Sequence, residues 1–168
     1  METSAPISKK SLQCLTDKLV ALGRFIARFI DKLQPFFLVL REAGATGWTD
    51  NCQSTFKEIK HYLTQPPILS NPQPNKRLYM YLAVSDWAMN VVLFRCLSHK
   101  EQRPVYYINR AMADAETRYS KVEQTILALR SAAQKLHPHF QAHPVVVLTN
   151  QPLHSILHKP DLSGRMLK

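Results

Sequence analysis

Between Leu78 and Leu97 the chain reads LYMYLAVSDWAMNVVLFRCL, two apolar runs rich in β-branched and aromatic residues around a short polar break at Ser85 and Asp86. That pattern predicts a β-hairpin. A third run, Pro104 to Ile108, follows the polar loop SHKEQR; a helical stretch from about Ala115 to Leu136 comes next, and a fourth run, Pro144 to Thr149, closes the series. A helix of that length returns the chain for parallel pairing. The expected fold is therefore α/β, a mixed sheet of three antiparallel strands, a crossover helix and a fourth strand that is parallel.

With 168 residues the chain is long enough for one domain or a small pair with a real core. No apolar run approaches the roughly 18 residues of a membrane span, and METSAPISKK lacks a signal-peptide apolar core. An intracellular protein, cytoplasmic or nuclear and without a membrane partner, is expected. Cys14, Cys52 and Cys96 are odd in number and far apart, which indicates neither a disulfide framework nor a zinc knuckle; buried reduced thiols are expected. Lysine and arginine number 22 against 12 acids, a formal charge of +10. Two readings stay open: a polyanionic partner whose counterions are released on binding, or a basic piece of a larger chain with its acidic counterweight elsewhere.

Upstream of the sheet, Leu12, Leu15, Leu19, Leu22, Ile26, Phe29 and Leu33 alternate at spacings of three and four, predicting one helix from about Ser8 to Asp31. Arg24, Arg28 and Lys32 recur at i, i+4 on another face. Pro35 is expected to stop that helix, with a shorter one in PFFLVLREAG ended by Gly44 and Gly47. Thr49 reads as the N-cap of a further helix with Asp50 in its first turn and Cys52, Phe56, Ile59 and Leu63 on one face. Four prolines in TQPPILSNPQPN mark an extended connector. The crossover helix shows Val122, Ile126, Leu129, Ala133 and Leu136 at core spacing, and Pro138 is expected to end it. His137, His139 and His143 lack a carboxylate or cysteine spaced to complete a metal tetrahedron, and His154 with His158 lacks a third ligand, so no metal site is assigned.

The order of these elements, with WTDNCQSTFKEIKHYLTQPPIL (Trp48 to Leu69), LYMYLAVSDWAMNVVL (Leu78 to Leu93), RPVYYINRAM (Arg103 to Met112), ETRYSKVEQTILAL (Glu116 to Leu129) and HPVVVLTNQPL (His143 to Leu153), resembles the RNase H-like domain of the Pol polyprotein of gypsy-type LTR retrotransposons. The resemblance implies residues 1–47 as a helical tail of the reverse transcriptase, 48–75 as a helix and Pro-rich connector, 76–158 as an RNase H-like core truncated at its C-terminus, and 159–168 as a tail. No adjacent Asp-Asp pair, as in the polymerase palm, occurs.

RNase H chemistry cuts the RNA strand of an RNA/DNA hybrid with two divalent ions held by carboxylates. Active relatives carry four acids, and the three that fall within the alignable part correspond here to Ala83 in the first strand, Thr125 in the crossover helix and Asn150 after the fourth strand. None is an acid. Asp86, three residues beyond Ala83, falls on the opposite face of a strand. Glu123, two before Thr125, is turned about 200° away on a helix. The resemblance thus implies a degenerate domain with no catalytic residues and no cofactor, a connection that positions RNA/DNA or DNA duplex within the rest of a Pol polyprotein. Candidate backbone contacts are Lys9, Lys10, Lys18, Arg24, Arg28 and Lys32 upstream, with Arg118, Lys121, Arg130 and Lys135 around the crossover helix. The rivals are a working Mg²⁺-dependent ribonuclease read in the wrong register, and a relic with no duplex role.

Overall fold

The structure is a computed structural model that describes residues 6, 8–41, 48–64, 69–98 and 101–157. The chain divides into two compact units, residues 1–67 and 68–168.

The first unit is helical. Helix α1, Lys9–Ala21, opens with a capping box in which Ser8 and Ser11 satisfy each other's backbone N–H groups. Leu12 and Leu19 bury the stripe, and Thr16 joins them by donating its hydroxyl to the Leu12 carbonyl at 2.8 Å. The predicted single helix does not continue: a 3-10 turn spans Leu22–Phe25, Ile26 is extended, and α2 is only Phe29–Lys32. Arg28 makes the break with a left-handed backbone, φ 51° and ψ 35°. The apolar stripe survives because Ile26, Phe29, Ile30 and Leu33 turn inward from either side of the break. Helix α3, Gln34–Arg41, is the expected shorter helix and carries Pro35 in its first turn, where a missing N–H costs nothing. Gly44 and Gly47 lie outside the described residues.

Helix α4, Asp50–Thr64, starts where Thr49 Oγ1 accepts the Cys52 N–H at 3.2 Å. Cys52, Phe56 and Ile59 are buried as expected, but Leu63 at the last turn is exposed. Trp48 stacks on Phe36 at 5.6 Å between centroids and meets Phe56 edge-on at 5.5 Å, closing the core of this unit. Of the three thiols only Cys52 is buried; Cys14 and Cys96 are exposed, contrary to the expectation for all three. Cys14 sits on the outer side of an amphipathic helix, and Cys96 lies in the part of its strand that runs out into solvent.

The second unit is the mixed sheet. Strands β1 (Leu78–Val84), β2 (Ala88–Ser98), β3 (Glu101–Ala111) and β4 (Val145–Leu148) lie in the order β3-β2-β1-β4. The first three pair antiparallel; β4 pairs parallel with β1, Leu78 opposite Val145 and Tyr81 opposite Leu148. The polar break becomes a tight turn closed by Ser85, whose N–H and hydroxyl both donate to the Ala88 carbonyl. Alternation places Leu78, Met80 and Leu82 in the core with Met89, Val91 and Leu93. On the other face Tyr79 and Tyr81 stack against Phe94 at 5.8 and 5.1 Å.

A short 3-10 turn, Glu116–Arg118, precedes the crossover helix α5, Lys121–Lys135, so the predicted stretch from Ala115 is broken before Ser120. Its most buried positions are Gln124, Thr125, Ala128, Ala132 and Leu136, with Val122, Ile126 and Leu129 partly buried on the flanks. The sequence reading centred the face on the larger side chains. Close approach of helix to sheet favours the small ones, and the larger residues fill the margins. Pro138 opens α6, His137–Ala142, instead of ending α5, and α7 spans Leu153–Leu157.

Candidate functional site: a cleft at the ends of the parallel strands

Strands β1 and β4 run side by side, β4 ending opposite Tyr81 and β1 three residues later, and α5 begins over the same end. Crevices of this kind form where parallel strands present their carboxyl ends. Here a cleft of about 1100 Å³ is lined by Tyr81–Val84 from β1, Lys121, Thr125 and Leu129 from α5, and residues 147–154 from β4 and the turn into α7. It contains Ala83, Thr125 and Asn150, so three positions far apart in sequence converge on one site. Ala83 and Asn150 are exposed there, while Thr125 is buried.

The chemistry of the lining is specific. Ala83 offers a methyl group. Thr125 donates its hydroxyl to the Lys121 carbonyl one turn earlier, at 2.7 Å. Asn150 contributes an amide, and Thr149, Gln151 and His154 add a hydroxyl, a second amide and an imidazole. Among the described residues no Asp or Glu lines the cleft. Among the described residues no group of three or more His, Cys, Asp or Glu side chains is placed to hold a metal ion.

Both neighbouring acids are engaged outside this lining. Glu123 completes a capping box on α5: its Oε2 accepts from Ser120 N–H and from Ser120 Oγ, each at 2.8 Å, while Ser120 Oγ accepts the Glu123 N–H at 3.3 Å. Asp86 lies in the turn past β1, not on the strand, and its side chain is 97% exposed. It accepts a hydrogen bond from Lys121 Nζ at 2.9 Å. That hydrogen bond, with the charge of the same ammonium, holds the Asp86 carboxyl below the ordinary aspartate range.

The ten basic candidates divide between the two units, six in the first and four in the second. Lys9, Lys10 and Lys18 are exposed on α1, but Arg24, Arg28 and Lys32 share no helical face because the chain breaks between them. Arg24 lies over the Phe25 ring, Arg28 pairs with Asp31 at 3.1 Å, and Lys32 lies 4.3 Å above the Tyr62 ring. In the second unit Arg118, Lys121, Arg130 and Lys135 are exposed, and Lys121 alone of these lines the cleft. The histidines at the far end of α5 are separate from it: His143 Nδ1 lies 3.1 Å from the Lys76 carbonyl, and His139 is held below the ordinary histidine pKa by burial and then by the charge of His143.

Sequence reasoning missed the special position of Lys121, although the signal was present. Lys121 precedes Thr125 by four residues, so a helix that carries Thr125 into the cleft carries Lys121 to its rim. It also missed Asn90, a buried amide directly across the hairpin from Ala83.

Residues 48–147 match the model of the RNase H-like domain found in reverse transcriptase. Among curated proteins, the retrovirus-related Pol polyprotein from transposon 412 of Drosophila melanogaster is 27% identical over 147 residues, covering 86% of this chain and 12% of that protein. The transposon Tf2-3 polyprotein of Schizosaccharomyces pombe is 22% identical over 152 residues, 89% of this chain and 11% of its own length. The chain thus spans about an eighth of the relatives it matches. Solved structures of a foamy viral protease-reverse transcriptase share the fold: the complex with double-stranded DNA has a TM-score of 0.72 at 17% identity, covering 95% of this chain and 33% of that one. The complex with an RNA/DNA hybrid has a TM-score of 0.70 at 18% identity, covering 98% and 23%. With more than half of its length matched by the family model and its mixed sheet in place, this chain belongs to the RNase H-like domains found in reverse transcriptase, of the retrotransposon Pol kind.

Proposed function

We propose that the domain is a non-cleaving RNase H-like module that holds an RNA/DNA or DNA duplex by its phosphates within a longer Pol polyprotein. The observation that carries this reading is the lining of the cleft, where Ala83, Thr125 and Asn150 come together with no carboxylate among the described residues. Two divalent ions need several hard, anionic oxygens to hold them. A methyl, a hydroxyl already committed to the Lys121 carbonyl and one neutral amide do not fit that requirement. Glu123 is engaged as a helix cap and Asp86 by a lysine, so neither acid makes good the loss.

The duplex half of the reading is supported by the formal charge of +10 and by neighbours of the same fold, the foamy viral proteins in complex with double-stranded DNA and with RNA/DNA hybrid. Contacts are assigned to Lys9, Lys10, Lys18, Arg24, Arg28, Lys32, Arg118, Lys121, Arg130 and Lys135, and no metal cofactor is required. Phosphate contacts of this kind give affinity that falls steeply with salt.

One gel tests the proposal. Labelled RNA/DNA hybrid is mixed with the protein and Mg²⁺ or Mn²⁺ at rising salt, and scored for retardation and for shortened RNA. Retardation that fades with salt, with full-length RNA throughout, is the expected result. Shortened RNA that disappears with a chelator overturns the non-cleaving reading, and absence of both overturns the duplex reading. Converting Ala83, Thr125 and Asn150 to Asp, Glu and Asp is expected to create divalent-metal binding that the parent lacks.

A further inference from the structure

The cleft is not merely short of acids; its charge is inverted. Among the described residues its lining holds no carboxylate and one ammonium, that of Lys121, with the amides of Asn150 and Gln151, the Thr149 hydroxyl and the His154 imidazole around it. We propose that this cleft is a metal-independent phosphate site in which Lys121 supplies the positive charge and Asp86 competes for it from the rim. The inference rests on the non-cleaving reading and adds the ligand class and a built-in competitor.

Three observations support it. Lys121 is tethered, not loose: its Nζ donates to Asp86 Oδ1 at 2.9 Å and to the Ser85 carbonyl at 3.4 Å, which fixes the ammonium at the mouth of the cleft. The tether is weak, because Lys121 is half exposed and Asp86 almost fully so, and ion pairs between exposed groups contribute little. A phosphate bearing one or two charges can therefore take the ammonium from Asp86 without breaking a buried interaction. Finally, the first turn of α5 lies on the same side, and its N-terminal end favours negative charge. A pair of ionised carboxylates in this position would repel a phosphate unless metal ions intervened. Alanine, threonine and asparagine remove that repulsion, and Lys121 turns it into attraction.

A phosphate can come from a nucleic-acid backbone or arrive free, and the experiment separates the two. Full-length protein is titrated against labelled duplex DNA in EDTA across a salt series, as parent, Lys121→Met and Asp86→Asn. Inorganic phosphate is added separately to isotope-labelled protein, and amide shifts are followed at Thr149–His154. Lys121→Met is expected to weaken duplex binding on the order of three- to tenfold and to lower the salt slope by about one ion. Asp86→Asn is expected to tighten it by about twofold or more, since the competitor is gone. Opposite signs from two exposed substitutions exclude a general loss of folding as the cause.

Shifts with inorganic phosphate, abolished in Lys121→Met while duplex affinity stays level, support the site with free phosphate as its source. If both variants match the parent on duplex and on phosphate, the site is refuted, yet duplex retention by the other basic residues leaves the tether reading intact. Metal-dependent cleavage in the earlier gel removes the reading beneath both.

Discussion

The capping box on α5 decides whether Glu123 is a structural residue or a displaced metal ligand, and a double-mutant cycle can measure it. Ser120→Ala removes the oxygen that accepts the Glu123 N–H at 3.3 Å and the hydroxyl that donates to Glu123 Oε2 at 2.8 Å. Glu123→Ala removes the acceptor of that hydroxyl and of the Ser120 N–H, also at 2.8 Å. Loss of an N-cap costs about 1 kcal/mol. Loss of the glutamate costs a similar amount, about 1 kcal/mol, from hydrogen bonds to a charged group at an exposed helix start. Because the two side chains share a bond, the double variant is expected to lose about 1.5 kcal/mol rather than the sum, a coupling of about 0.5 kcal/mol. The assay is urea unfolding followed by Trp87 fluorescence in a Trp48→Phe background, so that the second unit alone is reported, with m held constant across the cycle. Additive losses refute the reciprocal cap. So does a Glu123→Ala protein of unchanged midpoint that has lost a metal-dependent activity.

Three further outcomes follow from the geometry. Arg28→Gly relieves a left-handed backbone that costs a non-glycine residue about 1 kcal/mol and gives up an ion pair exposed on the arginine side only, so the first unit is expected to gain a few tenths of a kcal/mol by Trp48 fluorescence; Arg28→Val is expected to lose at least as much. Burial opposes ionisation of Glu116, but hydrogen bonds from Arg110 and the Ala113 N–H, with the Arg110 charge, together outweigh it and hold the carboxyl below the ordinary glutamate range. That contribution is fully present above the unfolded pKa, about 4.3, and is lost as pH falls through the lower folded value, so Glu116→Gln is expected to flatten the acid limb of a stability–pH curve below about pH 4. Cys14 and Cys96 are expected to react with a thiol reagent in the native protein while Cys52 waits for unfolding, as mass mapping of the labelled peptides checks.

The sheet was legible because its strands are apolar runs rich in β-branched and aromatic residues and the break between the first two is short and polar. Ser85 closes the β1–β2 turn with its own side chain, so a local signal agrees with the global pairing, whereas the start of α5 was set too early, at about Ala115, although Ser120 and Glu123 three residues apart mark it. The first unit was less legible for a physical reason. Its apolar spacing runs unbroken from Leu12 to Leu33, and a stripe of that kind is satisfied equally by one long helix or by two pieces folded so that Ile26, Phe29 and Leu33 meet the same core. Nothing at Arg28 announces a left-handed residue, since glycine or asparagine would ordinarily stand there. Pro138 misled in a related way: it was expected to end α5 and instead occupies the first turn of α6, as Pro35 does in α3, a position proline favours.

The cleft brings together positions that lie far apart in the sequence. Ala83, Thr125 and Asn150 have no chemistry in common, and only their places on strands and helix bring them into one lining. What single positions could not reveal was the sign of the field that remains. Lys121 was visible as one basic residue among ten, and its separation from the others depends on α5 turning Thr125 toward the sheet and leaving Lys121 one turn away at the rim, within 2.9 Å of Asp86. Once the strand-end and helix positions carry no acid, the nearest charge governs the cleft. That charge is positive, so its ligand should be the phosphate itself, taken up without a metal ion to bridge it.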